Sequence, residues 1–113
     1  MITLPTAIWL VLTSVDMRLG MEGLSLFVQE RLARSPCAGD AYLFSNKRRN
    51  RLKLLCWDGN GVWLCQRRLH RGAFVWQQSA EGVCNITREQ WEWLIAGVDW
   101  QRISKPPPST FRV

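Results

Sequence analysis

The chain has 113 residues, enough for one small domain and too few for a dinucleotide-binding unit with a catalytic partner. Hydrophobic residues make up 47%, with seven Trp against one Tyr, which excludes a largely disordered chain. Fifteen Lys and Arg against nine Asp and Glu leave a net charge of +6, a balance suited to polyanionic partners.

The opening run 1–12 is apolar, but no Lys or Arg precedes it, Pro5 interrupts it, and Asp16 and Arg18 follow closely. It lacks the charged start of an export signal and falls far short of the ~20 residues of a membrane span. The expectation is a cytoplasmic protein without membrane association. Residues 8–13 read as a strand that is apolar on both faces. The stretch 16–20 is a turn into a helix over about 20–34, where Met21, Leu24, Phe27, Val28 and Leu32 share one arc at helical periodicity. Arg31 lies inside that arc, so its guanidinium must snorkel at the rim or meet a partner. Pro36 and Gly39 mark the loop that ends the helix.

Strands are predicted over 41–45, 52–57, 62–67 and 73–77. The first two are joined by the basic loop 46–51, the next pair through Asp58-Gly-Asn-Gly61, which holds both strong hairpin dipeptides. An even-length turn puts Leu52, Leu54, Cys56, Trp63 and Cys65 on one face and Lys53, Leu55, Trp57, Val62, Leu64 and Gln66 on the other. Both faces are largely apolar, so this hairpin is expected to be central and covered on two sides. With only two helices, chain ends or a second subunit in a homo-oligomer would close one face.

The second helix is the best-signposted element. Thr87 as N-cap with Gln90 at N3 makes a capping box, and Ile86 with Trp91 makes the hydrophobic staple. Trp91, Leu94, Ile95 and Val98 share a face, Gly97 fits C′, and Trp93 points away, either to contact Val98 locally in a Schellman ending or to meet another molecule. Residues 104–113, rich in proline, carry no packing pattern and are expected to be a mobile tail to a 1–103 domain.

The cysteines, Cys37, Cys56, Cys65 and Cys84, form no C-x₂-C pair and share the chain with a single histidine, His70, so neither zinc nor another cofactor is expected. Asp16, Asp58 and Asp99 could be grouped as the carboxylates of a metal-dependent nuclease. Simpler roles suit each: Asp16 capping a turn, Asp58 in a hairpin turn, Asp99 beyond a helix end. His70 has no nucleophile or orienting acid tied to it, so catalysis is not expected.

Charge is concentrated in one stretch. Lys47, Arg48, Arg49, Arg51, Lys53, Arg67, Arg68 and Arg71 meet only Asp58 between positions 47 and 71. A six-residue strand leaving the 58–61 turn returns to the edge where Arg51 and Lys53 enter, so the two basic runs should meet at one end of the sheet. Guanidinium groups gathered there suit phosphate contacts, and nothing nearby suggests base-specific reading.

The runs 16–24, 49–61 and 67–76, with 91–100 at the end, resemble the TnpB (Orf2-type) accessory proteins of the IS-sixty-six family of bacterial insertion sequences. The resemblance runs through about residues 3–102. It implies a small non-catalytic protein that is encoded beside a separate DDE transposase and needed with it for transposition. These proteins are unrelated to the RNA-guided nucleases that share the name TnpB. Positions matching the family pattern are Asp16, Arg18, Gly20, Gly23, Arg49, Lys53, Trp57, Asp58, Gly59, Gly61, Arg68, Gly72, Phe74, Trp76, Gly97, Asp99 and Trp100. His70 stands where an acid is common, Gln77 replaces a proline and so lets the last strand run longer, and Arg31 takes an apolar position.

The expected fold is α+β: a single small domain with a mainly antiparallel sheet of about five strands and two helices. The expected function is support of DNA recombination by an insertion sequence through contact with DNA, the transposase, or both. A protein–protein adaptor that never touches nucleic acid is the alternative, and an independent nuclease the third reading.

Overall fold

Apolar residues on both faces make a strand central, and the segment Ala41–Ser45 (β2) is buried along its whole length. The computed structural model describes residues 7–35, 39–57, 59–76 and 82–96. Around β2 it places β1 (Ile8–Val11), β3 (Arg51–Trp57), β4 (Val62–Arg68) and β5 (Val83–Ile86) in one sheet of order β4-β3-β2-β1-β5. β1 runs parallel to β2, and every other neighbouring pair is antiparallel. Parallel neighbours need a long crossover, which the helix α1 (Met21–Glu30) supplies. The fold is α+β.

Strand alternation sorts the core onto the two faces. Leu24 and Val28 of α1 pack with Val11, Tyr42, Phe44 and Leu55 on one side. Leu94, from the helix α2 (Arg88–Ile95), joins Leu10, Leu12, Leu43, Leu52, Phe74, Trp76 and Ile86 on the other. Leu52 and Leu54 face α2 while Leu55, Val62 and Leu64 face α1, as the hairpin alternation requires.

Helix α2 begins as its sequence predicts. The Thr87 hydroxyl accepts from the Gln90 N–H at 3.0 Å, and the Gln90 side chain accepts from the Thr87 N–H at 2.8 Å. Gln90 is consequently buried, which its polarity would not suggest. Trp93 is exposed at the surface; its expected contact with Val98, and the Gly97 cap, lie outside the described residues.

Four expectations are corrected. The β3–β4 hairpin is not central, because β4 is the outer strand of the sheet and its residues are exposed or only half-buried. Residues 73–76 are not a strand: Phe74 and Trp76 are buried two apart, as in a strand, but the Phe74 N–H is spent on the Arg49 carbonyl of the β2–β3 loop. The fifth strand is instead Val83–Ile86, whose four residues end at the helix cap and are too short to show a period. The first helix stops at Glu30 rather than residue 34, and Ala33 takes a positive φ of 55° just beyond it. Met21 is therefore an exposed first-turn residue, not part of the buried arc. Arg31 sits at the C-cap, exposed, with its guanidinium 5.1 Å from the Phe27 ring centroid, which resolves its place beside the apolar arc.

Candidate nucleic-acid interface

The β2–β3 connection is short, and one side chain organises it. Asn46 Oδ1 accepts from the backbone N–H groups of Asn50 and Arg51 at 3.1 Å each, while its Nδ2 donates to Asn50 Oδ1 at 2.7 Å. The backbone adds a turn bond from the Arg49 N–H to the Asn46 carbonyl, with Arg49 at a φ of 60°. Lys47 and Arg48 are thus displayed from a fixed loop and not from a loose one. Asn46 was absent from the sequence-based site, although Asn at the start of a tight turn is a legible signal.

The return of β4 brings the second basic run to the same place. Arg68 stands directly opposite Arg51, and Arg67 opposite Leu52. Beyond the strand, the Leu69 N–H bonds the Asn50 carbonyl and the Phe74 N–H bonds the Arg49 carbonyl, which draws the bend carrying His70 and Arg71 against the loop. By alternation Arg51 and Arg68 lie on the α1 side and Arg67 on the α2 side, so the cations flank both faces of the sheet end. Lys47, Arg48, Arg51, Arg67, Arg68 and Arg71 are all exposed. The ion pairs among the described residues are Arg18–Asp16 at 2.8 Å and Arg88–Glu92 at 3.9 Å, so none of these six is neutralised there. Like charges held directly across a ladder repel, and an arriving anion relieves that repulsion.

Two of the expected contact residues turn inward. Arg49 reaches back to donate to the Leu12 carbonyl at 3.3 Å, with its guanidinium 5.2 Å from the Trp76 ring centroid. Nη1 of this group is buried without a hydrogen-bond partner, and burial pushes the Arg49 pKa down from its usual value. Lys53 is buried, and its Nζ donates to the Met17 carbonyl at 2.7 Å and the Leu19 carbonyl at 2.9 Å. For Lys53 the signal was available: alternation puts it on the face of Leu55. For Arg49 it was not, because only the left-handed turn aims it at the core.

The remaining singled-out positions are mostly architectural. Trp76 is buried and its Nε1 donates to the Val11 carbonyl at 3.0 Å. Gly59 has a φ of +96°, which a side chain would strain. A Cβ at Gly23 would stand 2.8 Å from Leu19 Cδ2, so the turn held by Lys53 presses on the first turn of α1. Trp57 is half-buried at the end of β3. Asp58, Asp99 and Trp100 lie outside the described residues.

Asp16 has a defined local task. Its Oδ1 accepts from the Arg18 N–H at 2.9 Å and its Oδ2 from Arg18 Nη2 at 2.8 Å. The Arg18 side chain above all, then its backbone N–H, lowers the Asp16 pKa to about 2. A depressed carboxylate stabilises the fold fully above its unfolded pKa and loses that contribution as pH falls through the folded one. The pair therefore weakens between roughly pH 4 and pH 2. Carboxyl NMR should place the Asp16 midpoint near 2, and Arg18→Ala should move it toward an ordinary aspartate; an unmoved midpoint would contradict this origin. Among the described residues no three His, Cys, Asp or Glu side chains are grouped to hold a metal ion.

A family model described as IS66 Orf2 like protein matches residues 6–105. The chain belongs to that family. It is 37% identical over 93 residues to the uncharacterized protein y4jC of Sinorhizobium fredii (strain NBRC 101917 / NGR234), a stretch that covers 82% of this chain and 80% of that one. It is 35% identical over 105 residues to the uncharacterized protein y4hO of the same strain, covering 93% and 88%. No solved structure matches the chain. Membership places this IS66 Orf2-like protein among accessory proteins associated with transposition, not in a known catalytic family. No helix among the described residues is long and apolar enough to cross a membrane.

Proposed function

We propose that this IS66 Orf2-like protein supports transposition without catalysis, by holding the phosphate backbone of duplex DNA in the cytoplasm alongside the transposase of its element. The observation that carries the proposal is the convergence of Lys47, Arg48, Arg51, Arg67, Arg68 and Arg71 at one sheet end, on an ordered loop and without acidic partners among the described residues. Arginine suits this task because its planar fork bonds phosphate oxygens in pairs. Edges of bases need a helix or ribbon fitted into a groove, and a rim of spread guanidinium groups reads the backbone instead.

A salt titration of duplex affinity tests it. Each phosphate neutralised contributes about 0.9 to the slope of log affinity against log salt, so Arg48→Ala and Arg68→Ala should each flatten the slope by about 1 on related and unrelated duplexes alike. Arg49→Ala should leave the slope unchanged and lower stability by about 2 kcal/mol, since it loses a charged hydrogen bond to the core. No duplex binding by the parent even at low salt would remove DNA contact. Transposase capture that survives nuclease treatment and is lost with Arg68→Ala would then favour an adaptor.

A further inference from the structure

We propose that the outer edge of β4 pairs with the same strand of a second copy, antiparallel about a two-fold axis at Cys65, to make a homodimer with a continuous sheet. The inference is independent of the DNA reading. The two ends of the sheet are unlike each other. β5 is only four residues long, a usual way of making an edge harmless. β4 has seven residues, pairs with β3 at every position from Val62 to Arg68 without a bulge, and holds no proline. From Trp63 to Gln66 it carries no charge either, so the devices that discourage edge pairing are missing from its middle.

Between two copies, charge selects the direction. Parallel pairing in register would stack Arg67 on Arg67 and Arg68 on Arg68 at about 5 Å, a repulsive arrangement. Antiparallel pairing centred on Cys65, the middle residue of the strand, uses all seven positions. It sets Val62 against Arg68 of the partner subunit, Trp63 against the partner subunit's Arg67, and Leu64 against the partner's Gln66. At about 3.4 Å per residue, the two Arg67 side chains start about 14 Å apart and the two Arg68 about 20 Å apart, beyond the ~8 Å screening length. Trp63, Cys65 and Arg67 share the α2 side of the sheet, so each guanidinium meets an indole across the interface. The strand is thereby complementary to itself, as a two-fold interface requires. The basic ends of the two copies then point in opposite directions.

Cys65 reports the register. Residues directly opposed in an antiparallel pair have Cα atoms about 4.5–5.5 Å apart, within the span of a disulfide. Cys65 is exposed and its thiol is free. Sedimentation of the reduced protein should show a dimer, and mild copper–phenanthroline oxidation should link the copies through Cys65. Cys65→Ser should abolish the link and keep the dimer. Cys65→Lys and Cys65→Glu each place like charges face to face and should weaken dimerisation about tenfold, while an equimolar mixture should re-form a Lys–Glu heterodimer. Because residue 65 is at the surface, circular dichroism of both variants should match the parent. A parent that stays monomeric at all concentrations overturns the proposal, and so does a dimer that neither cross-links at Cys65 nor responds to charge there.

Discussion

Trp76→Ala is expected to lower the free energy of unfolding by about 3–5 kcal/mol, the range for deleting a buried large aromatic side chain. Small domains hold only about 5–15 kcal/mol in total, so the variant should be close to unfolding at room temperature. Three observations set the size of the effect. Trp76 is 5% exposed and lies in the cluster that also contains Leu12, Leu43, Phe74 and Leu94. Its Nε1 donates to the Val11 carbonyl at 3.0 Å, across 65 residues of sequence. Its ring also lies under the Arg49 guanidinium at 5.2 Å, so removing it strips the cover from a partly desolvated cation. Trp76→Phe separates ring from hydrogen bond: it keeps most of the packing and should cost about 1–2 kcal/mol for the carbonyl left unpaired. Urea unfolding followed by circular dichroism gives both values, whereas seven tryptophans would blur a fluorescence signal. A Trp76→Ala variant with the parent's midpoint would show that the ring is not part of the core. Trp76 would then be free to serve as a platform on which bases stack.

What the sequence made legible follows the periodic elements. β2, β3 and β4 fall where their apolar runs and the Gly-rich turn place them, within one residue at each end. Helix α2 was legible because its cap is written in side chains, Thr87 and Gln90, which bond only in that arrangement. The segment 73–76 misled because a period of two reports alternating burial and not a ladder. Phe74 and Trp76 are buried alternately, yet residues 73–76 are not part of a strand. β5 was missed for the opposite reason: Val83 packs toward α1 and Cys84 and Ile86 toward α2, but four residues are too few to show alternation. In the basic region, the meeting of the two runs was a matter of strand length and turn position, and Arg51 does stand opposite Arg68. The count of cations facing solvent was only partly legible: alternation put Lys53 on the inward face with Leu55, although its two carbonyl partners lie in a distant turn, whereas Arg49 depends on a backbone φ of 60°.

Lys53→Met should cost about 2–4 kcal/mol, since it leaves two carbonyl oxygens without their donor while keeping the length of the side-chain stem. Those oxygens belong to Met17 and Leu19, in the turn that enters α1, and Lys53 Nζ is 2.7 and 2.9 Å from them. The turn cannot shift freely to find another donor. Leu19 already rests on Gly23, where a Cβ would come within 2.8 Å, and the Leu24 N–H closes the first helical bond to the Gly20 carbonyl at 2.9 Å. The loss should therefore appear first at the start of α1, as faster hydrogen exchange at Leu24 before exchange rises in β2 and β3. A second readout follows from electrostatics: Lys53 adds a small coulombic share to the lowered Asp16 pKa, so the Asp16 midpoint should rise slightly in Lys53→Met. The salt slope of duplex binding should stay that of the parent, because the ammonium group faces backbone carbonyls and not solvent. A Lys53→Met variant with unchanged stability and a slope flattened by about 1 would place Lys53 among the phosphate-facing cations and leave the α1 turn to be held by Asp16 and Arg18 alone.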